Sequence, residues 1–191
     1  MRTLAKALWL LFFSVLLCGV LYPLALWLVG QTFFPFQANG SLAHDARGNT
    51  IGSYLIAQPF TGDGYFHPRP SAASYNAAAS SASNLAPSNP ALRARVEADL
   101  KQITIKGEVP ADIVTTSSSG LDPHITLQNA YYQLPRVVHA RAQALHLPEE
   151  DVREKITKLL EQKAFAPLNG LGGEKIVNVL ELNLVLRDDL Y

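Results

Sequence analysis

The chain has 191 residues, and its sixteen Lys and Arg residues are balanced by sixteen Asp and Glu residues. This balance excludes the basic footprint that a nucleic-acid-binding surface requires. The only cysteine, Cys18, lies in an apolar run, so the rest of the chain has neither a disulfide nor a thiolate metal site.

An uncharged stretch near the N-terminus predicts one transmembrane helix over residues 7–30. No charged residue occurs between Lys6 and His44, and about 20 apolar residues suffice to cross a bilayer core. The run exceeds the roughly 7 to 15 apolar residues of a cleaved signal peptide. Pro23 predicts a kink or a break near Leu21, because proline removes a helical hydrogen bond.

Arg2 and Lys6 set the predicted orientation of this helix. By the positive-inside rule they keep residues 1–6 in the cytoplasm and place residues 31–191 outside, which in a bacterium is the periplasm. The outer part has the size of a single domain, and its mixture of patterns predicts the α/β (α+β) class.

The first half of the outer part is rich in Ala, Ser, Asn, Gly and Pro. Within it, "GSYLIAQPF" predicts a strand, whereas "GYFHPRPSAASYN" and "SSASNLAPSNP" predict extended loops. Asn89 before Pro90 signals the start of a helix over residues 91–101. A single apolar stripe of that helix is predicted to be buried, formed by Leu92, Val96 and Leu100.

Four further elements are predicted in the second half. "ADIVTT" predicts a short strand. Thr126 is expected to cap a helix that Pro135 bends, with faces carried by Ala130, Leu134, Val137, Val138 and Arg141. Pro148 begins another helix, with its inner face and edge at Val152, Ile156, Leu159, Leu160 and Lys163. In "KIVNVLELNLVLRD" the apolar residues alternate, which predicts a long half-buried strand.

The segment "SSSGLDPHIT" contains serines, an aspartate and a histidine within ten residues. It favours a turn, since Asp122 before Pro123 opens turns and Thr126 caps the next helix. A catalytic triad draws its members from separated parts of a chain, so crowding in sequence does not indicate one. The histidines lack paired ligand spacing, and no metal site is predicted.

"FHPRP" contains Arg69, whose guanidinium is suited to clamping an anion or a carboxylate. The alternative is that it anchors a loop or an interface. On the residues alone, the chain is a single-span membrane protein with a small outer domain and no convincing active site.

Seven ordered segments nevertheless carry a specific pattern. They resemble the C subunit family of the bacterial Kdp potassium-transporting P-type ATPase, over nearly the whole chain. The segments are "GSYLIAQPF", "GYFHPRPSA", "YN", "SSASNLAPSNP", "VTTSSSGLDPHIT", "QLPRVVHAR" and "VNVLELNLVL".

The resemblance implies a non-catalytic accessory subunit in the bacterial inner membrane. Its expected partners are a channel-like potassium-binding subunit, an ATP-hydrolysing P-type subunit and a small single-span subunit. ATP and K+ would be handled by those partners, with no cofactor bound by this chain. The family's role is described as assembly and as a catalytic chaperone that raises the ATP affinity of the hydrolysing subunit.

The resemblance also implies which residues have functional or structural roles. Gln133, Arg136 and Val137 match the family's Q-x-x-R-V motif, whose glutamine has been linked to the ATP effect. Ala82 and Ala86 stand where glycine is expected in many relatives. The other motif residues are expected to contact partners or hold the structure, and they are Phe66, His67, Arg69, Ser71, Asn84, Asn89, Asp122, His124, Arg136 and Arg141.

Two alternatives of different class remain open from the residues. One is a membrane-anchored periplasmic hydrolase that depends on His124. The other is a solute-binding module.

Overall fold

The computed structural model describes residues 2–45, 47–103, 105 and 107–188. Residue 1 of the predicted range 1–6 and residues 189–191 of the predicted range 31–191 lie outside the described residues. The described chain divides into two compact units, one ending at Ser53 and one beginning at Tyr54.

The first unit contains one long apolar helix that runs from Arg2 to Phe33. It consists of α1 (Arg2–Val15), a π-helical turn (Leu16–Leu21) and α2 (Tyr22–Phe33). By length and composition this helix could cross a membrane, and the described residues contain no other helix of that kind. This helix is longer than the predicted one over residues 7–30.

Pro23 does not break this helix. The distortion predicted near Leu21 takes the form of the π-helical turn, in which the Tyr22 N–H donates to the Leu17 carbonyl. Pro23 then lies in the first turn of α2. The helix stays continuous through this wide turn, in which N–H groups bond to carbonyls five residues back instead of four.

A short helix and a hairpin complete the first unit. Helix α3 (Pro35–Ala38) precedes β1 (Leu42–His44), which pairs antiparallel with β2 (Thr50–Ser53). The strand predicted from "GSYLIAQPF" is therefore wrong beyond Ser53. From Tyr54 onward the backbone bonds to other parts of the chain instead of to β1. The Tyr54 carbonyl accepts from Asn178 Nδ2, and the Ala57 N–H donates to the Leu121 carbonyl.

The second unit contains the three predicted helices. They are α4 (Pro90–Gln102), α6 (Leu127–Leu145) and α7 (Glu149–Lys163). Asn89 and Thr126 cap α4 and α6 through their side chains, as predicted. The predicted buried stripe of α4 is wrong: no residue of α4 is buried, and Leu100 is 40% exposed.

The segment "ADIVTT" forms a single helical turn, α5 (Ala111–Val114), so the predicted strand is wrong. Pro110 precedes the turn, and its carbonyl accepts from the Ile113 N–H at 3.1 Å. The buried Asp112 carboxylate accepts from the Thr126 N–H at 2.8 Å. This turn thereby holds the start of α6 in place.

The C-terminal strand prediction is also wrong after Asn178. Strand β4 (Ile176–Asn178) pairs antiparallel with β3 (His124–Thr126), and α8 (Val179–Asp188) then begins at once. Asn178 Oδ1 accepts from the Glu181 N–H at 3.1 Å, which caps the helix. Among the described side chains of α8 five are buried, and four of them follow helical spacing: Val179, Leu182, Asn183 and Leu186. The fifth is Leu180.

The core of the second unit lies between β3, β4, α6, α7 and α8. Most of its members come from these elements, as expected from their apolar faces. Phe66 is the exception, because it comes from a loop and is nevertheless fully buried. The chain is thus a mixed helix-and-sheet protein with one N-terminal apolar helix that could span a membrane.

Candidate functional site

Residues 62–67 form a loop that lies against α6 and α8, and we refer to them as the anchored loop. They have no helix or strand of their own. Their backbone is held instead by four side chains that come from the two helices. These side chains are Gln133, Arg136, Arg141 and Asn183.

Gln133 binds both backbone groups of His67. Its Oε1 accepts from the His67 N–H at 2.8 Å, and its Nε2 donates to the His67 carbonyl at 3.0 Å. The remaining amide hydrogen goes to Asn129 Oδ1, and Oε1 also accepts from Arg136 Nη2, each at 2.8 Å. The side chain is buried, and all of its hydrogen-bonding capacity is used within the protein.

Asn183 binds Phe66 in the same way from α8. Its Oδ1 accepts from the Phe66 N–H, and its Nδ2 donates to the Phe66 carbonyl, both at 2.9 Å. Sequence reasoning missed this residue, because it was assigned to a strand. A helical reading of "VLELNLVL" would have shown an amide on the buried face.

Arg136 holds the middle of the anchored loop. Its Nη1 donates to the carbonyls of Asp63 at 2.8 Å and Tyr65 at 3.1 Å. Burial lowers the pKa of Arg136, and the nearby Asp63 carboxylate opposes that change. The guanidinium still carries its charge, since an arginine pKa starts far above neutrality.

Arg141 is buried beneath the same loop. Its Nε donates to the Gly64 carbonyl at 2.8 Å, and its guanidinium carbon lies 4.7 Å from the centre of the Tyr65 ring. The close approach leaves little room at Gly64, where an added Cβ would lie 3.3 Å from Arg141 Nε. Charge and ring together form a cation–π contact.

The His67 imidazole lies at the end of the anchored loop, with Nε2 3.1 Å from the Gly62 carbonyl oxygen. Burial, and then the positive charge of Arg136, lower the pKa of His67 below its ordinary value. Hydrogen bonding to Gly62 and the Asp63 carboxylate partly offset this change. The neutral imidazole is therefore favoured near neutral pH.

A groove of about 600 Å³ opens beside the anchored loop. His67, Gln133 and Arg136 line it, together with Tyr75, Asp99 and Tyr132. The groove therefore combines aromatic and polar groups. Gln133 has no unused donor to offer a ligand there, because its amide hydrogens already serve His67 and Asn129.

Four of the remaining motif residues form a second cluster: Arg69, Ser71, Asp122 and His124. Arg69 donates to the carbonyls of Thr115 and Thr116 at 3.2 and 3.1 Å, and its Nη1 lies 3.7 Å from Asp122 Oδ2. Ser71 donates to the Gly120 carbonyl. Arg69 therefore links residues 115, 116 and 122, through two backbone carbonyls and one carboxylate.

Asp122 and His124 pair directly in this cluster. The two side chains meet with 2.9 Å between Asp122 Oδ1 and His124 Nδ1. Partial burial alone would raise the pKa of Asp122, but hydrogen bonds from His124 and the charges of His124 and Arg69 together lower it. A cavity of about 560 Å³ lies beside the pair.

This pair resembles the acid and base of a hydrolase. A triad requires a nucleophile hydroxyl within hydrogen-bond reach of the imidazole. Within the described part of the chain, no serine hydroxyl makes that bond to His124. Ser117 is buried, and its Oγ accepts instead from the Asp122 N–H at 3.5 Å.

Asn84 and Asn89 belong to neither cluster. Asn89 Oδ1 accepts from the Ala91 N–H at 2.9 Å and caps α4. Asn84 is exposed and has a left-handed backbone, with φ of 50°, a conformation that asparagine tolerates. Of the two, Asn89 therefore has a structural role as the cap of α4.

Comparison with known proteins gives a family match over residues 4–188, to the family described as "K+-transporting ATPase, c chain". This chain belongs to that family. A relative from Pseudomonas putida strain F1, named "Potassium-transporting ATPase KdpC subunit", is 50% identical over 186 residues, which cover 96% of this chain and 95% of the relative. Proteins of the same name from Pseudomonas aeruginosa strain PAO1 and Myxococcus xanthus are 49% and 47% identical, over 90% and 91% of this chain and 88% and 82% of their own lengths.

Membership of the c chain family confirms the resemblance inferred from the seven segments. The Q-x-x-R-V residues lie on α6, where Gln133 and Arg136 hold the anchored loop and Val137 is in the core. The fold brings two distant parts of the sequence into contact, "FHPRP" and "QLPRVVHAR". Both parts lie within the residues that the family match covers.

Proposed function

We propose that this chain is the non-catalytic accessory subunit of an ATP-driven potassium-uptake complex. In that complex it supports assembly and raises the apparent ATP affinity of the ATP-hydrolysing subunit. The observation that carries the proposal is the c chain family match over residues 4–188. The relatives named as KdpC subunits, similar over most of their length, support the same assignment.

The proposed setting is the bacterial inner membrane. The apolar helix over Arg2–Phe33 would anchor the chain, with its N-terminus cytoplasmic and the folded part periplasmic. The proposed partners are a channel-like potassium-binding subunit, a P-type ATP-hydrolysing subunit and a small single-span subunit. A family named for one chain of an ATPase supports a multi-subunit assembly.

Gln133 would act on ATP affinity without touching ATP. Its amide is fully engaged in holding His67, Asn129 and Arg136, and the proposed topology puts it on the opposite side of the membrane from cytoplasmic ATP. Its influence would therefore pass through a partner subunit, as a coupling between two sites. The anchored loop is the element whose position Gln133 controls.

The experiment compares Gln133→Ala with Gln143→Ala in the purified complex. Gln143 lies on the same helix and is exposed, which makes it a matched control. We expect Gln133→Ala to raise the KM for ATP of potassium-stimulated ATPase by at least about fivefold, the lower range of allosteric coupling. Gln143→Ala should leave it at the wild-type value.

Co-purification of the partner subunits with each variant checks assembly separately. If Gln133→Ala leaves both assembly and the KM for ATP unchanged, the proposed role of this residue is wrong. If deletion of the whole chain leaves the ATPase unaffected, the accessory function itself is wrong.

A further inference from the structure

The long apolar helix has an unpaired backbone carbonyl at Cys18. In an α-helix this carbonyl would accept from the Tyr22 N–H, but in the π-helical turn the Tyr22 N–H donates to the Leu17 carbonyl instead. The next donor, five residues on as elsewhere in the turn, would be Pro23, and proline has no N–H. The helix therefore provides no donor for the Cys18 carbonyl.

The surroundings of this carbonyl are open. Cys18 is exposed, and no residue of α1, the π-helical turn or α2 is buried, so no other described part of the chain covers it. Gly19 follows without a side chain, and an added Cβ there would have only Val15 Cγ1 within 4 Å, at 3.8 Å. A neighbouring side chain can therefore reach the backbone at this point.

The predicted span over residues 7–30 puts Cys18 near the middle of a membrane. Each end of that span is about 17 Å away along the helix axis, at about 1.5 Å per residue, and half of a hydrocarbon core is about 15 Å. The hydrocarbon at this depth offers no water to bond to a carbonyl, and an unpaired backbone group there is costly. The donor that fits this position belongs to another membrane-spanning segment.

We propose that the Cys18 carbonyl is a binding point for a transmembrane helix of a neighbouring subunit, which donates a hydrogen bond from a hydroxyl or amide side chain beside Gly19. Such side chains bond across helices in membranes, and glycine lets two helix backbones approach closely. The family is named for one chain of an ATPase, which favours a different subunit over a second copy. This inference rests on the proposed function, because it takes the chain to be one subunit of a membrane complex.

The single cysteine of the chain allows this one carbonyl to be observed. Cysteine labelled with ¹³C at its carbonyl carbon, together with ¹⁵N-glycine, produces one directly bonded ¹³C–¹⁵N pair, between Cys18 and Gly19. A hydrogen bond moves the ¹³C signal of a carbonyl to higher chemical shift. We expect the Cys18 signal to lie at higher shift in the assembled complex than in the full chain alone, both in lipid nanodiscs.

The carbonyl of Tyr22, one turn further on, is the matched control. Tyr22 and Pro23 form the only Tyr-Pro pair of the sequence, so carbonyl-labelled tyrosine and ¹⁵N-proline report on this carbonyl alone. Within α2 it accepts from the N–H of residue 26. Assembly should therefore leave its chemical shift unchanged.

Photo-cross-linking identifies the occupant. A benzophenone-bearing phenylalanine in place of Val15 lies on the Gly19 side of the helix, whereas the same residue in place of Leu17 points to the other side. In the assembled complex the Val15 position should form an adduct with another subunit. The Leu17 position should form that adduct in much lower yield.

Filling the space beside the carbonyl should weaken the association. Gly19→Leu is expected to lower the affinity of the full chain for the complex prepared without it by about threefold to tenfold, the effect of one interhelical hydrogen bond. Ala25→Leu is the control, because it introduces the same side chain at an exposed position on another side of the helix. It should leave the affinity at the wild-type value.

Three results would overturn the inference and leave the proposed function standing. An unchanged Cys18 signal in a complex that assembles normally would show that no partner donates to this carbonyl. Adducts of the Val15 position with lipid alone would leave the site without a protein occupant, and adducts with a second copy would assign it to this chain itself. If the wild-type chain co-purifies with no other subunit, the proposed function and the inference both fail.

Discussion

Gly120 shows how much can depend on the absence of one side chain. It lies in the turn of "SSSGLDPHIT" with φ of +69°, and a Cβ there would lie 2.6 Å from the Ser81 carbonyl oxygen and 2.9 Å from the Ala73 Cβ. The Gly120 carbonyl in turn accepts from Ser71. The turn is therefore the point where the loop after the anchored loop packs against the segment that leads into β3.

Gly120→Ala should destabilise the protein by roughly 3 kcal/mol or more, because a left-handed alanine and a backbone clash add together. Gly170→Ala is the matched control, since Gly170 also has a positive φ, of +95°, but has nothing within 4 Å of an added Cβ. It should cost about 1 to 2 kcal/mol, the backbone contribution alone. Thermal unfolding of the purified chain in detergent measures both, and equal losses would contradict the packing at Gly120.

Single residues were predictable when their partners were near in sequence. Asn89 and Thr126 cap the helices that begin beside them, as expected. Asn183 was not identified, because its partner Phe66 is 117 residues away. The resemblance indicated Gln133, but its structural role requires the fold, which brings it to His67.

At the scale of elements, α6 and α7 could be predicted because their apolar positions recur with a helical period after a recognisable start, Thr126 for α6 and Pro148 for α7. The same reasoning gave a wrong prediction for the C-terminal segment, which is helical after Asn178. Leucines at 180, 182, 184 and 186 satisfy an alternating pattern, while Val179, Leu182 and Leu186 satisfy a helical one. In the fold the segment is a helix, and the Asn178 side chain favours it by capping the start of α8.

This difference gives a direct test at Leu182 and Leu184. In a strand both leucines would share one buried face, whereas in α8 Leu182 is fully buried and Leu184 is only partly buried. Leu182→Ala should cost about 2 to 5 kcal/mol of unfolding free energy, and Leu184→Ala about 1 kcal/mol. Chemical denaturation of the two variants measures this, and equal costs would favour the strand.

For the molecule as a whole, the predicted orientation in the membrane can be tested by labelling introduced cysteines, because the chain has only one cysteine of its own. Cys18 is the only cysteine, so Cys18→Ser gives a background without thiols. Ala77→Cys adds an exposed thiol in the folded part. On spheroplasts, a membrane-impermeant maleimide should label Ala77→Cys fully, because the positive-inside rule places this part outside the cytoplasm.

The control for this labelling is Thr3→Cys, at the predicted cytoplasmic end of the helix, which should be labelled only after lysis. Labelling of Ala77→Cys only after lysis would reverse the proposed orientation. The family and the long apolar helix were predictable at this scale, since ordered motifs and a long uncharged run are properties of sequence alone.

The π-helical turn at Leu16–Leu21 has a consequence for how the long helix meets its neighbours. Such a wide turn holds more residues than an α-helical one, and each residue of an α-helix advances by about 100° around the axis. Over its length the turn therefore rotates the side chains of α2 around the helix axis by about 100°, relative to an uninterrupted α-helix. The side chains of α1 and α2 that would have formed one continuous stripe therefore point in different directions, so the two halves of the helix present different faces.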